Sequence, residues 1–269
     1  MDKRPIGVFD SGLGGLTAVR ELMRILPGED IIYFGDTGRV PYGGRSRETI
    51  MKYAREDIAF LRSFDIKYVL AACGTVSTNG LGEIKAENNI PVRGVAGAAV
   101  RAAVRATRNN RIALIGTAAS IRSGTYDRKI LELRPDCELY KKACPLFVPL
   151  VENGRIEKDD QVLRLVAEEY LAPLRDAGCD TMILGCTHYP IISDTIRDIM
   201  GEGVALIDAG AAAAREMAED LACTDSINTE GGEHRYFVSD SADGFRETAE
   251  MFLGSGLRGE VRRISISGE

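Results

Sequence analysis

Short apolar runs alternate with amphipathic helical segments along this chain, and that alternation restricts it to few folds. IGVF (6–9), IIYF (31–34) and YVLAA (68–72) are each followed by a polar or glycine-containing loop. Apolar residues between the first two runs recur every three or four positions, as in a helix that lies on a sheet: Leu16, Val19, Leu22, Met23 and Leu26. Repeated strand–loop–helix units predict an α/β fold with a mostly parallel sheet that is covered on its faces.

A second series of the same kind follows an arginine-rich helix predicted around residues 98–108. Residues 224–236 predict a loop in which His234 is solvated. The other elements predicted in this half are strands at 112–116 and 145–151, a helix at about 159–177, and strands at 181–185, 204–208 and 261–266.

The two series can be overlaid, and the overlay places two cysteines at equivalent positions. Cys73 directly follows one predicted strand and Cys186 directly follows another. Ligands of parallel α/β sheets bind just outside the carboxyl ends of the strands, so both thiols are expected to point into a functional crevice. Two such halves facing each other would present two thiols to one ligand. We expect the remaining cysteines to be packing or surface residues: Cys137, Cys144, Cys179 and Cys223.

The composition and the lengths of the apolar runs restrict the partners that this protein can have. The 269 residues are 45% hydrophobic, which is enough for one or two cores, and the net charge of −6 lacks the basic excess of a nucleic-acid binder. No apolar run approaches the roughly 20 residues of a membrane span, and a strand-like segment begins before any apolar signal region. A cytoplasmic protein without nucleic-acid or membrane partners is therefore expected. Paired C-x-x-C spacing is missing, which argues against a disulfide scaffold and a zinc ribbon.

The glycine loop DSGLGG (10–15) precedes a helix and would place backbone N–H groups beside a bound anion. His188 lies two residues after Cys186, where it could handle a proton. A zinc site built from Cys73, Cys186 and His188 is conceivable, but the four-ligand spacing of structural sites is missing, so no metal is expected. Neutral donors for an anion fall at predicted strand ends: Ser11, Thr75, Thr117, Ser120 and Thr187.

Several segments together resemble the glutamate racemase family, the cofactor-independent bacterial isomerases that supply D-glutamate for peptidoglycan synthesis. The resemblance implies two similar α/β domains related by a pseudo-twofold axis, with the active site between them. The first domain would comprise residues 1–97 and 208–269, and the second residues 98–207. A homodimer is also implied, although nothing selects its face. The segments are DSGLGG (10–15), FGDTGRVPYG (34–43), Cys73 with Thr75, GTAAS (116–120), CPLFVPLVE (144–152) and GCTHYP (185–190).

The resemblance also implies a mechanism in which Cys73 and Cys186 alternate as thiolate base and thiol acid on opposite faces of the substrate. Asp10 would assist the first thiol and His188 the second. Neither pyridoxal phosphate nor another cofactor is implied. The residues expected to contact substrate are Asp10, Ser11, Tyr42, Gly43, Gly74, Thr75, Thr117, Ser120, Glu152, Thr187 and His188.

Gly74 departs from the family pattern, which usually has asparagine after the first cysteine. Loss of that amide predicts weaker glutamate binding, and the change Gly74→Asn is expected to lower KM or leave it unchanged. Some members need a cell-wall precursor as activator; with five residues before Ile6, activity without one is expected. Two other functions stay open: a racemase for aspartate or another acidic amino acid of the same superfamily, and a catalytically silent member that binds an amino acid or a protein.

Overall fold

The computed structural model describes residues 1–254, 256–257 and 259–266, and it confirms an α/β fold with two parallel sheets. Every strand pair in both sheets is parallel. The six-stranded sheet has the order β10-β9-β2-β1-β3-β4, built from β1 (Ile6–Asp10), β2 (Ile31–Gly35), β3 (Tyr68–Ala71), β4 (Val92–Gly94), β9 (His234–Val238) and β10 (Glu260–Arg263). The four-stranded sheet has the order β6-β5-β7-β8, built from β5 (Arg111–Gly116), β6 (Glu138–Ala143), β7 (Thr181–Leu184) and β8 (Ala205–Asp208).

Helices connect the strands and cover the sheets. They are α1 (Leu16–Ile25), α2 (Arg47–Arg62), α3 (Gly74–Asn79), α4 (Leu81–Glu87), α5 (Val95–Ala106), α6 (Ala118–Arg122), α7 (Thr125–Leu133), α8 (Phe147–Glu152), α9 (Gln161–Asp176), α10 (Ser193–Met200), α11 (Ala209–Cys223) and α12 (Ala242–Leu253). Two 3₁₀ turns, Tyr42–Gly44 and Tyr189–Ile192, complete the described elements. No helix in the described part of the chain is long and apolar enough to cross a bilayer.

The two sheets repeat one strand order, β2-β1-β3-β4 in the first and β6-β5-β7-β8 in the second. In each sheet a thiol-bearing strand pairs directly with the first strand of the unit, β3 with β1 and β7 with β5. Both cysteines come two residues after their strand ends, so the repeated topology places them equivalently.

One hydrophobic core extends over both sheets. It includes Val8 of β1 and Leu114 of β5, and the helices α5 and α11 pack against each other between them. Both helices carry small buried residues, for example Ala99 in α5 and Ala213 in α11, which permits a close approach of the two backbones. A second core covers the other face of the six-stranded sheet around Phe34.

Two sequence predictions were wrong. Residues 145–151 were expected to form a strand, but most of them form α8, and the strand is β6. β6 is an edge strand with only half-buried or exposed residues, so it lacks the apolar run by which a buried strand is recognised. The loop expected over 224–236 ends earlier, because His234 begins β9 and is only partly exposed.

The division into residues 1–97 with 208–269 and residues 98–207 stays a proposal. The strands of the first sheet lie within 6–94 and 234–263, and those of the second within 111–208, which supports the division. Ser255, Arg258 and residues 267–269 lie outside the described residues.

A buried ion pair fastens β3 to the chain segments around it. Lys67 Nζ lies 2.7 Å from a carboxylate oxygen of Glu29, and both side chains are almost inaccessible. The ammonium group also donates to the carbonyl oxygens of Asp2 and Ser226, and Glu29 accepts from the amide of Asn228. The pair thus joins the start of the chain to the segment after α11.

We expect Lys67→Met to lower the free energy of unfolding by about 3–5 kcal/mol, because it leaves the Glu29 carboxylate buried without its cation. Urea denaturation followed by circular dichroism measures the change. The matched control is Lys3→Met, which removes an exposed ion pair with Glu230 and should cost about 0–1 kcal/mol. Similar losses in the two variants would contradict the assigned role of the buried pair.

Candidate active site

A cavity of about 450 Å³ opens where the carboxyl ends of the two sheets meet. Residues of both halves line it, including Cys73 from the loop after β3 and Cys186 from the loop after β7. Most of the residues predicted for substrate contact also line it: Ser11, Tyr42, Gly43, Gly74, Thr75, Thr117, Glu152, Thr187 and His188. The structure therefore brings together residues that lie far apart in sequence.

Asp10 and Ser120 do not line the cavity and lie behind it. Asp10 is the last residue of β1, and its Oδ2 accepts from the amide of Gly12 at 3.0 Å. Its Oδ1 is buried with no hydrogen-bond partner. Ser120 Oγ lies 3.0 Å from Thr117 Oγ1, so it supports a lining residue instead of reaching the cavity.

Cys73 is a buried thiol beside an acidic group. It precedes the first residue of α3, and its sulfur donates to Ser11 Oγ at 3.5 Å. Burial and the nearby Asp10 carboxyl raise the pKa of Cys73 to about 12, although its hydrogen bonds with Ser11 Oγ and the Val76 amide act in the opposite direction. Burial also raises the pKa of Asp10, although His188 and three backbone amides act in the opposite direction. At neutral pH and with no ligand, Cys73 is a thiol.

Cys186 has a cationic neighbour instead. His188 Nδ1 lies 3.8 Å from the Cys186 sulfur, and His188 Nε2 lies 3.0 Å from Glu152 Oε1. Burial acts to lower the pKa of His188, but its hydrogen bonds to Cys186 and Glu152 outweigh burial and raise it to about 10. The imidazole is therefore protonated at neutral pH, which places a positive charge 3.8 Å from the Cys186 sulfur.

Phe252 of α12 packs against the ring of His188. The two rings meet edge to face, with centroids 5.3 Å apart and an interplanar angle of 85°. No sequence pattern indicates this contact, because Phe252 lies 64 residues further along the chain in a helix without a motif. The C-terminal helix thus helps to orient a residue of the four-stranded half.

Hydroxyl groups join the two halves across the cavity. Thr75 Oγ1 and Thr117 Oγ1 are 3.0 Å apart, and Thr17 Oγ1 donates to the Thr187 carbonyl at 3.0 Å. Thr117 also caps α6, because its side chain accepts from the Ser120 amide. These hydroxyls hold the halves in contact, and those of Thr75 and Thr117 also lie at the cavity wall.

A buried polar cluster positions the loop that carries Tyr42 and Gly43. The Tyr42 hydroxyl donates to Asp36 and, at 3.2 Å, to Asp57. Arg39 forms ion pairs with both carboxylates. Burial and the neighbouring Asp36 raise the pKa of Asp57 well above its usual value. Tyr42, which lines the cavity, is thereby held in place, and Gly43 lies against Thr117.

Sequence reasoning missed an apolar wall. Its residues come from the 34–43 segment and from the start of α8: Val40, Pro41, Pro145, Val148 and Pro149. The signal was present, because residues 145, 148, 149 and 152 are spaced three and four apart, as on one helix face. Because residues 145–151 were predicted to form a strand, this helix face was not recognised. Cys144, expected to be a packing residue, is fully buried but also lines the cavity.

The charges around the cavity restrict what it can bind and do. Within the described residues, His188 is the one cationic side chain in the lining, and neither lysine nor arginine contributes. Apart from this imidazolium, the lining offers backbone N–H groups and hydroxyls to the anionic groups of a ligand. No group of three or more His, Cys, Asp or Glu side chains in the described part of the chain is placed to hold a metal ion. The arrangement places two thiols at the cavity, one from each half.

Known proteins resemble this chain over its full length. A family model described as Asp/Glu/Hydantoin racemase matches residues 15–217. A glutamate racemase of Geobacter metallireducens is 44% identical and covers 100% of this chain and 99% of that protein. The crystal structure of a glutamate racemase isoform from Bacillus anthracis has a TM-score of 0.94 at 34% identity, covering 98% of both chains.

The glutamate racemase from Francisella tularensis, solved in complex with D-glutamate, has a TM-score of 0.92 at 39% identity and covers 100% of both chains. An aspartate racemase from Picrophilus torridus has a TM-score of 0.57 at 16% identity over 81% of this chain, which indicates a shared fold. The match of the family model and the full-length identity to the Geobacter metallireducens protein establish that this chain belongs to the Asp/Glu/Hydantoin racemase family.

Proposed function

We propose that the protein is a glutamate racemase that interconverts L- and D-glutamate by proton transfer between two thiols, without a cofactor. The observation that carries the proposal is the meeting of Cys73 and Cys186 in one cavity, from equivalent strand ends of two similar halves. Inversion of an α-carbon requires a proton to leave one face and another to arrive at the opposite face. Two separate thiols meet that requirement without rotation of the substrate.

The unequal surroundings of the thiols define the starting state. Cys186 beside protonated His188 acts as the base, and Cys73, whose pKa is raised to about 12, acts as the acid. When the Cys186 thiolate removes the α-proton, the electron pair stays on the α-carbon and the substrate carboxylate. Cys73 then protonates the opposite face. The products are the other enantiomer, a Cys186 thiol and a Cys73 thiolate, which is the starting state for the reverse direction.

Asp10 assists Cys73 in this scheme. Its carboxyl group is buried beside the thiol and has a raised pKa, so it can hold a proton near the sulfur when the Cys73 thiolate is formed. Glu152 has the corresponding role on the other side, where it holds the imidazolium that faces Cys186. Both groups act through a neighbouring thiol or imidazole.

The carbanionic transition state needs stabilisation from fixed dipoles, because the lining offers neither lysine nor arginine. We assign the binding of the substrate carboxylates to neutral donors: the hydroxyls of Ser11, Thr75, Thr117 and Thr187 and the amides of Gly43 and Gly74. Ser120 supports Thr117 from behind. Exclusion of water from the reacting carbon when substrate fills the cavity would strengthen these hydrogen bonds.

Glutamate is favoured over aspartate because the relatives that match over the full chain bear the name glutamate racemase. The alternatives are a racemase for aspartate or another acidic amino acid, and a silent binding member. We further propose that the enzyme acts in the cytoplasm as a homodimer and supplies D-glutamate for peptidoglycan synthesis. Six free cysteines fit a reducing compartment.

We expect the purified protein to racemise L- and D-glutamate with no added cofactor, and Cys73→Ala and Cys186→Ala each to abolish turnover, because each removes one of the two proton-transfer groups. Circular dichroism of the substrate measures the reaction, with aspartate tested in parallel. Cys179→Ala is the matched control, since Cys179 is buried outside the cavity and its loss should leave turnover intact. Near-normal turnover in either thiol variant would refute that assignment, and faster turnover of aspartate would favour the alternative substrate.

We expect activity to fall as pH rises through about 10, where His188 loses its proton. The folded-state pKa of His188 is raised, so its charge is complete at neutral pH and is lost on the alkaline side. Glu152→Gln removes one of the hydrogen bonds that raise this pKa and should move the alkaline limb of the kcat/KM profile to lower pH. Glu157→Gln, on an exposed residue outside the cavity, serves as the control. If the alkaline limb of the kcat/KM profile stayed at the wild-type pH in Glu152→Gln, the role assigned to Glu152 would be contradicted.

A further inference from the structure

The loops that carry the two thiols touch through their backbones at one point. Gly74 directly follows Cys73, and Gly185 directly precedes Cys186. A β-carbon added at Gly74 would lie 2.2 Å from the Gly185 carbonyl oxygen and 3.3 Å from its carbonyl carbon. No side chain fits between the loops in this arrangement, so the absence of one at position 74 is a condition of the contact.

The loop that carries Gly185 is held in place and cannot move away from Gly74. The Gly185 amide donates to the Ile115 carbonyl at 2.8 Å, which ties the loop to the end of β5. The space behind its α-carbon is filled, because a β-carbon there would lie 2.7 Å from the Ile115 carbonyl oxygen and 3.3 Å from the Tyr126 hydroxyl. The Gly185 carbonyl is therefore held against Gly74 by the four-stranded half.

The Gly74 side is equally fixed. Ser77 Oγ donates to the Ala71 carbonyl and accepts from the Val95 amide, which locks α3 to the ends of β3 and β4. Thr78 Oγ1 donates to the Gly74 carbonyl at 3.0 Å. Since neither loop can yield locally, any atom inserted at position 74 must move one half of the molecule away from the other.

We propose that Gly74 is a positioning residue that sets the gap between the two thiols, and that it does so by permitting direct backbone contact between the catalytic loops. The inference rests on the proposed two-thiol function. The consequence is that this site, with its two loops in contact, requires glycine at position 74, where the family pattern has asparagine. The expectation that Gly74→Asn would lower KM or leave it unchanged is thereby corrected, because the asparagine has no room for its β-carbon.

The size of the effect follows from the distances. Ordinary contact with the Gly185 oxygen begins at 3.4 Å, so even a methyl group at position 74 requires the loops to part by about 1.2 Å. That movement also stretches the 3.0 Å contact between Thr75 Oγ1 and Thr117 Oγ1 beyond hydrogen-bonding distance. Misplacement of reacting groups by about 1 Å can cost on the order of 10²-fold in rate.

The test compares Gly74→Ala and Gly74→Asn with Gly82→Ala. Gly82 is also helical, in α4, but a β-carbon there meets nothing within 4 Å. We expect Gly82→Ala to keep wild-type turnover. Both Gly74 variants should lose kcat on the order of 10²-fold, equally in the L-to-D and D-to-L directions, because both thiols are separated from one substrate carbon.

A second readout does not depend on turnover. Cys73 and Cys186 are at most 8% exposed, and parting of the loops should speed their alkylation by iodoacetamide in the Gly74 variants, measured at each cysteine by mass spectrometry. A turnover-inactive wild-type protein would refute the proposed function. An active wild type with Gly74→Ala equal to Gly82→Ala, or with a lower KM and unchanged kcat in Gly74→Asn, would overturn this inference alone. Loss of the folded circular dichroism spectrum in Gly74→Ala would overturn it too, because the proposal requires the two loops to part while each half stays folded.

Discussion

The packing of α5 against α11 is the interaction on which the rest of the structure depends. The chain passes from the six-stranded to the four-stranded sheet through α5 and returns through α11, and the two helices lie in the core that both sheets share. Small buried residues such as Ala99 and Ala213 let them approach closely. Because this contact sets how the sheets face each other, it also determines that the loops after β3 and β7 meet at one cavity.

The two halves have similar folds, but their two thiols have different chemical surroundings. Cys73 lies beside the buried carboxyl of Asp10, whereas Cys186 lies beside an imidazolium supported by Glu152. Repetition of the fold supplies two thiols at equivalent strand ends, and each thiol has a different ionisable neighbour. In the proposed mechanism, completion of one turnover exchanges the protonation states of the two thiols.

Much of this could be predicted from local sequence, because strand-end positions and helical spacing depend on neighbouring residues. Cys73 and Cys186 were found in that way. The contacts that were missed depend on residues distant in sequence: Phe252 packs on His188, and Gly74 lies against Gly185. The error at 145–151 has a different cause, since a proline-containing apolar run fits either a buried strand or a short helix until its neighbours are known.

The most direct test of the two-thiol account is racemisation of each glutamate enantiomer in D₂O, with deuterium at the α-carbon followed at early times by NMR or mass spectrometry. The account predicts that the product enantiomer carries solvent deuterium while the unreacted starting enantiomer gains little, because the thiol that removes a proton is not the one that delivers the next. Rapid entry of deuterium into the starting enantiomer, with its configuration retained, would contradict the account and indicate a single base.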